Sequence, residues 1–224
     1  MPPIDNRDIM QARAGIAMMQ RFMPPVDTTG ITIEDRTIPG TDGNAIPIRL
    51  YQPDGGVRPL PCVLFFHWGG FMLGGLDTEQ ARCVMIARDA ECAVISVDYR
   101  LAPEHPFPAA VNDCYAALLW TVEHANTLAI DRKRIAVGGT SAGGGLAAAV
   151  ALMARDQQGP PIAFQFMGFP VTDDRMETAS MRAFTDTPNW TYDATVNMWR
   201  FYLSETDGAV SPYAAPMRAE DVRQ

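Results

Sequence analysis

Four short, largely apolar runs set at wide intervals constrain this chain more than any other feature: Cys62-Val-Leu-Phe-Phe66, Ala93-Val-Ile-Ser-Val97, Ile135-Ala-Val137 and Ile162-Ala-Phe-Gln-Phe-Met167. Runs that are apolar throughout, rather than at alternate positions, mark strands covered on both faces. The stretches between them, about 25 to 40 residues long, carry helical periodicity over 78–90, 109–126 and 141–155. Strand and helix in alternation predict a mostly parallel sheet flanked by helices. The helix over 141–155 is crowded with Gly143, Gly144, Gly145, Ala147, Ala148, Ala149 and Ala151. Such residues cover little surface but allow close backbone approach, which places this helix against the centre of the sheet.

Ahead of that alternating region, Ile9, Ala12, Ile16, Met19 and Met23 give residues 5–23 one apolar helical face, ended by Pro24-Pro25. Two early strands follow, Ile31 to Ile38 and Ala45 to Tyr51, joined by the turn formers of Pro39-Gly-Thr-Asp-Gly-Asn44 as a hairpin. A last helical pattern runs through Tyr192, Val196, Trp199 and Leu203. The 224 residues suit a single domain. With 26 acidic against 18 basic residues the net charge is -8, a sign that repels phosphate backbones and excludes nucleic acid as a partner. The start lacks the basic segment and apolar run of a secretory signal, so a cytoplasmic location is expected. No apolar stretch reaches the roughly 18 residues of a membrane span. Cys62, Cys83, Cys92 and Cys114 show no C-x-x-C pairing, which argues against a metal site and for reduced, buried thiols.

Gly139-Thr-Ser-Ala-Gly143 matches G-x-S-x-G directly after one predicted strand and directly before a helix. In that setting the glycines permit a turn too tight for side chains, and Ser141 projects from the bend as a nucleophile. A phosphate-cradling loop is the competing reading, but no G-x-G-x-x-G fits these glycines and no lysine follows them. His67-Trp-Gly-Gly-Phe71 follows the strand ending at Phe66, so its backbone faces the same edge of the sheet. Amides of Gly69, Gly70 and Ala142 are placed to converge on the negative oxygen that acyl transfer creates.

These segments resemble the hormone-sensitive-lipase-like branch of the α/β-hydrolases, the bacterial family IV esterases. The resemblance is carried by His67-Trp-Gly-Gly-Phe-Met-Leu-Gly-Gly-Leu-Asp77, Asp98-Tyr-Arg-Leu-Ala-Pro-Glu-His-Pro-Phe-Pro108, Gly139-Thr-Ser-Ala-Gly-Gly144 and Ser211-Pro-Tyr-Ala-Ala-Pro216. It implies an α/β-hydrolase fold with an N-terminal cap helix, and cap segments over 1–30 and about 175–208. It also implies Ser141 as nucleophile and Gly69, Gly70 and the Ala142 amide as oxyanion hole. The implied substrate is a small-molecule ester with a short to medium acyl chain, and no cofactor or metal is needed. A homo-oligomer is compatible with all of this. The Tyr99-Arg100 and Pro103-Glu104 region implies bracing rather than chemistry.

Two departures stand out. Trp68 occupies the first glycine position of the family's His-Gly-Gly-Gly, where it either narrows the pocket or packs beside the loop. The second concerns the base: the fold's order is serine, acid, histidine, yet His67, His105 and His124, the last near the end of an expected surface helix, all precede Ser141. The late acids Asp173, Asp174, Asp186, Asp193 and Asp207 are expected as solvated surface groups. The expectation is therefore a C-terminally truncated esterase lacking the last two strand-helix units, about 60 residues or more. Such a fragment is expected to be weakly active or inactive. A non-catalytic, gibberellin-receptor-like binding protein is the alternative, and a peptidase or amidase would share the same machinery.

Overall fold

In the computed structural model, which describes residues 6–223, the chain enters through helix α1, Ile9–Arg21, capped by the Asp8 carboxylate accepting the Gln11 amide. Residue 5 of the expected span 5–23 lies outside the described residues. The hairpin forms as expected from β1, Ile31–Pro39, and β2, Ala45–Pro53, with Ile38 opposite Ile46 at the turn. Then come β3, Leu60–Phe66, and a 3-10 turn, Leu76–Glu79, leading into α2, Gln80–Asp89. They are followed by β4, Ala93–Val97, α3, Ala109–His124, β5, Ile130–Thr140, and α4, Ala142–Asp156. The last elements are β6, Phe164–Gly168, a short α5, Ala179–Ala183, which the sequence pattern did not announce, and α6, Tyr192–Tyr202.

The six strands form one sheet in the order β1-β2-β4-β3-β5-β6. β4, β3, β5 and β6 run parallel, while β1 and β2 are antiparallel additions at one side. Successive side chains of a strand point to opposite faces. Leu64, Phe66, Ile95 and Val97 accordingly join α3 and α4 in the larger core, whereas Phe65 and Val94 meet Cys83, Val84 and Ala87 of α2 in a smaller one. All four cysteines are free and buried.

The apolar pattern misleads in three places. β6 is largely exposed rather than covered on both faces, with Phe164 and Phe166 at 65% and 45% exposure. Among the described residues it pairs only with β5 and so forms a sheet edge. α3, expected as a surface helix near His124, is buried along most of its length because it spans the middle of the larger core; even Asp113 and Thr121 are sequestered. On α1 only Ile9 and Ile16 of the predicted stripe are buried, and Met23 lies beyond the helix end and in solvent.

Candidate active site

The turn between β5 and α4 holds Ser141 at φ 53° and ψ −120°, a left-handed backbone that costs a non-glycine residue about 1–3 kcal/mol. Backbone bonds on both sides hold it there. The Ser141 amide donates to Gly168 O at 2.9 Å, and its carbonyl accepts from Gly145 and Val171 at 3.1 and 3.0 Å. Ser141 is only half-buried, and its side chain makes no capping bond to α4. The hydroxyl therefore stands at a helix amino terminus without being spent on holding the helix.

The segment after β3 is pressed against the same turn. A Cβ on Gly143 would fall inside contact distance of Phe66 O and 2.7 Å from His67 O, so the first turn of α4 and the end of β3 meet backbone to backbone. From there Gly69, Gly70 and Phe71 all take positive φ, and the amides of Met72 and Leu73 turn back onto Gly69 O at 3.0 and 2.9 Å. Gly69, Gly70 and Ala142 are buried. The structure thus brings the predicted oxyanion segment and the serine turn to one edge of the sheet.

His67 anchors that segment. Its ring is fully buried and stacks on Tyr99 at 4.0 Å and 7°, and Tyr99 OH donates to His67 O at 2.8 Å. Trp68 O can only accept, so the Nδ1 atom 2.7 Å away carries the proton. Nε2 is buried without a hydrogen-bond partner among the described residues. Burial pushes the His67 pKa down to about 4, against a smaller opposing effect of the Trp68 carbonyl. The ring is therefore neutral near pH 7. The neighbouring motif braces, as expected: Arg100 holds the buried Asp113 through its amide and guanidinium. Glu104 pairs bidentately with Arg13 of α1, whose guanidinium also donates to Met72 O and Ala102 O at 3.0 Å.

The segment before α1 and the segment around α6 meet each other beside this edge. Asn6 donates to Ala194 O of α6 at 2.8 Å, joining the segment before α1 to the later one. A Cβ on Gly70, at φ 59°, would meet Trp190 Cη2 at 2.6 Å and Met198 Cγ at 3.2 Å. Trp199 is buried against Phe71 and Tyr202, whereas Met18 and Phe22 point to solvent. Trp68 lines a cavity of about 860 Å³ with Met19, Met23, Pro25 and Thr78.

None of the three histidines is hydrogen-bonded to Ser141 among the described residues. His67 is locked under Tyr99, His105 is exposed, and His124 stacks on Trp120 while its Nδ1 meets Trp120 O at 2.9 Å. The late acids divide. Asp186, Asp193 and Asp207 are exposed as expected, but Asp173 and Asp174 are ion-paired with Arg175 and Arg218 at 2.7 and 2.6 Å. A buried acid the motifs did not reveal is Glu79. Its Oε1 accepts from Thr140 Oγ1 at 3.1 Å and its Oε2 pairs with Arg82 at 2.8 Å. It sits in a 3-10 turn that reads as the start of a helix, so periodicity carries no sign of its partner across the fold. Among the described residues there is no cluster of three metal-capable side chains, and no helix is long and apolar enough to cross a membrane.

A strained serine between strand and helix, on a parallel sheet with a glycine-containing loop beside it, defines an α/β hydrolase. A family model described as the alpha/beta hydrolase fold matches residues 63–224, and the chain belongs to that family. Carboxylesterase NlhH of Mycobacterium tuberculosis is 44% identical over 183 residues, covering 81% of this chain and 55% of its own length. The arylesterase of Saccharolobus solfataricus is 38% identical over 183 residues, covering 79% and 58%. A solved bacterial heroin esterase superposes with a TM-score of 0.95 at 45% identity, covering 99% of this chain and 72% of that one. The resemblance to hormone-sensitive-lipase-like esterases is thereby upheld. The chain spans about half the length of the first of these relatives, at 55%.

Proposed function

We propose that this chain carries the nucleophile and oxyanion hole of a carboxylic-ester hydrolase acting on esters of short to medium acyl chains. One observation carries the proposal: Ser141 is held at positive φ with its hydroxyl free of capping duty, beside a loop tied backbone to backbone to its own helix. Ser141 Oγ attacks the ester carbonyl, and the developing oxyanion takes hydrogen bonds from the amides of Gly69, Gly70 and Ala142. Collapse expels the alcohol and leaves an acyl-serine, which water hydrolyses to the acid. The Ser141 hydroxyl proton passes to a general base and from it to the departing alcohol; in this fold that base is a histidine later in the chain than the serine, and no histidine follows Ser141 within the 224 residues. The names of NlhH, the arylesterase and the heroin esterase all denote ester hydrolysis and support the same reaction. Segments 1–30 and about 175–208 serve as the cap, a role supported by the Asn6–Ala194 bond and by Trp190 over Gly70. Four free, buried cysteines suit a reducing, cytoplasmic compartment.

A fluorophosphonate probe applied to the full-length gene product tests this. Labelling at Ser141 that vanishes in Ser141→Ala, with p-nitrophenyl butyrate cleaved much faster than the matching anilide, is the expected result. A folded product without label supports a non-catalytic ligand-binding member of the family. Rapid anilide cleavage supports an amidase.

A further inference from the structure

The geometry points to Glu79 as a positioning residue for the serine turn, acting through the hydroxyl of Thr140. Glu79 is 2% exposed, and a carboxylate is rarely buried without partners that justify its desolvation. It has two. Arg82 neutralises Oε2 from one turn along α2, and Thr140 Oγ1 donates to Oε1. Thr140 is itself buried, lies opposite Gly168 in the β5–β6 pairing, and immediately precedes Ser141. Its side chain is therefore gripped from two sides, with the methyl toward Gly168 and the hydroxyl on Glu79. The Glu79 turn is closed at its own start, where Thr78 Oγ1 donates to Gly75 O at 2.6 Å and accepts from Gly75 N at 3.1 Å. The 3-10 turn that follows the loop carrying Gly69 and Gly70 is thus bonded to the strand end that carries Ser141. A strained backbone persists only where its surroundings over-determine it, and this clamp is part of that surrounding structure.

This role rests on the hydrolase reading above, so the test carries a readout that does not need turnover. In the full-length product, Glu79→Ala and Thr140→Val are expected to lower kcat for p-nitrophenyl butyrate by about tenfold to a hundredfold, with KM nearly unchanged. Rates are taken per active site titrated with fluorophosphonate. Thr140→Val keeps the side-chain shape and guards against misfolding of the Glu79 variant. The double variant is expected to be no worse than the poorer single one, because both remove one hydrogen bond. Glu79→Gln, which keeps an acceptor for Thr140, is expected to restore kcat to within about threefold of wild type. Amide hydrogen exchange over residues 138–146 is expected to quicken in Glu79→Ala and Thr140→Val but not in Glu79→Gln. Unchanged kcat per titrated site, or a lower Tm as the sole effect, overturns the proposal. Absent labelling of wild type sinks the hydrolase reading instead; the clamp is then judged on exchange alone, and unchanged exchange overturns it.

Discussion

Gly143→Ala is the substitution whose outcome the serine turn determines most directly. In an ordinary helix interior, replacing glycine by alanine stabilises by about 1 kcal/mol. At position 143 the added methyl would meet Phe66 O and the carbonyl of His67, both backbone atoms, which cannot rotate away as a side chain would. Overpacking of this kind costs about 1–3 kcal/mol. With the upper end of that range set against the propensity gain, the net loss is about 2 kcal/mol, or roughly thirtyfold in the folding constant. Gly15 supplies an internal control: it lies in α1 with open space around its would-be Cβ, so Gly15→Ala should gain about 0.5–1 kcal/mol. Urea denaturation followed by tryptophan fluorescence measures both. Equal or higher stability for Gly143→Ala would refute the backbone-to-backbone contact on which the active-site assignment depends.

His67 makes the fold acid-sensitive. Its folded pKa of about 4 lies below its ordinary 6.5, so the unfolded chain takes up the proton first and stability falls as pH drops between those values, by about 3 kcal/mol in all. The slope of stability against pH over that window is expected to be shallower in His67→Phe; an unchanged slope refutes the assignment. On α1, Arg13→Ala should cost about 1–2 kcal/mol and speed amide exchange across residues 9–21, because two bonds to backbone carbonyls go with the ion pair. Glu104→Ala removes only a half-exposed pair and should cost under about 1 kcal/mol. Equal losses would show that the carbonyl bonds contribute nothing.

The parts of the fold legible in the sequence were those written locally. β3 and β4 are marked by unbroken apolar runs because both of their faces are covered. The serine turn is marked because its glycines answer clashes within a few residues. The rest depends on where an element falls in the sheet. Phe164 and Phe166 have the composition of a buried strand, but pairing on one side only leaves them exposed. α3 was misjudged for the opposite reason, since only its place over the middle of the sheet explains the burial of Asp113 and Thr121. The Glu79–Thr140 bond joins residues 61 positions apart, and Trp190 reaches Gly70 from the other end of the chain. Neither leaves a trace in periodicity or local motif.

The uncapped start of α4 has a consequence for ligand binding. A helix that begins without a side-chain cap presents free N–H donors and a partial positive charge. An oxyanion bound beside Ser141 would complete the helix in the way an aspartate completes α1. Tetrahedral, negatively charged mimics such as boronate adducts should thus make the folded state more heat-resistant as well as blocking the site, whereas a planar neutral ester leaves the helix terminus unsatisfied.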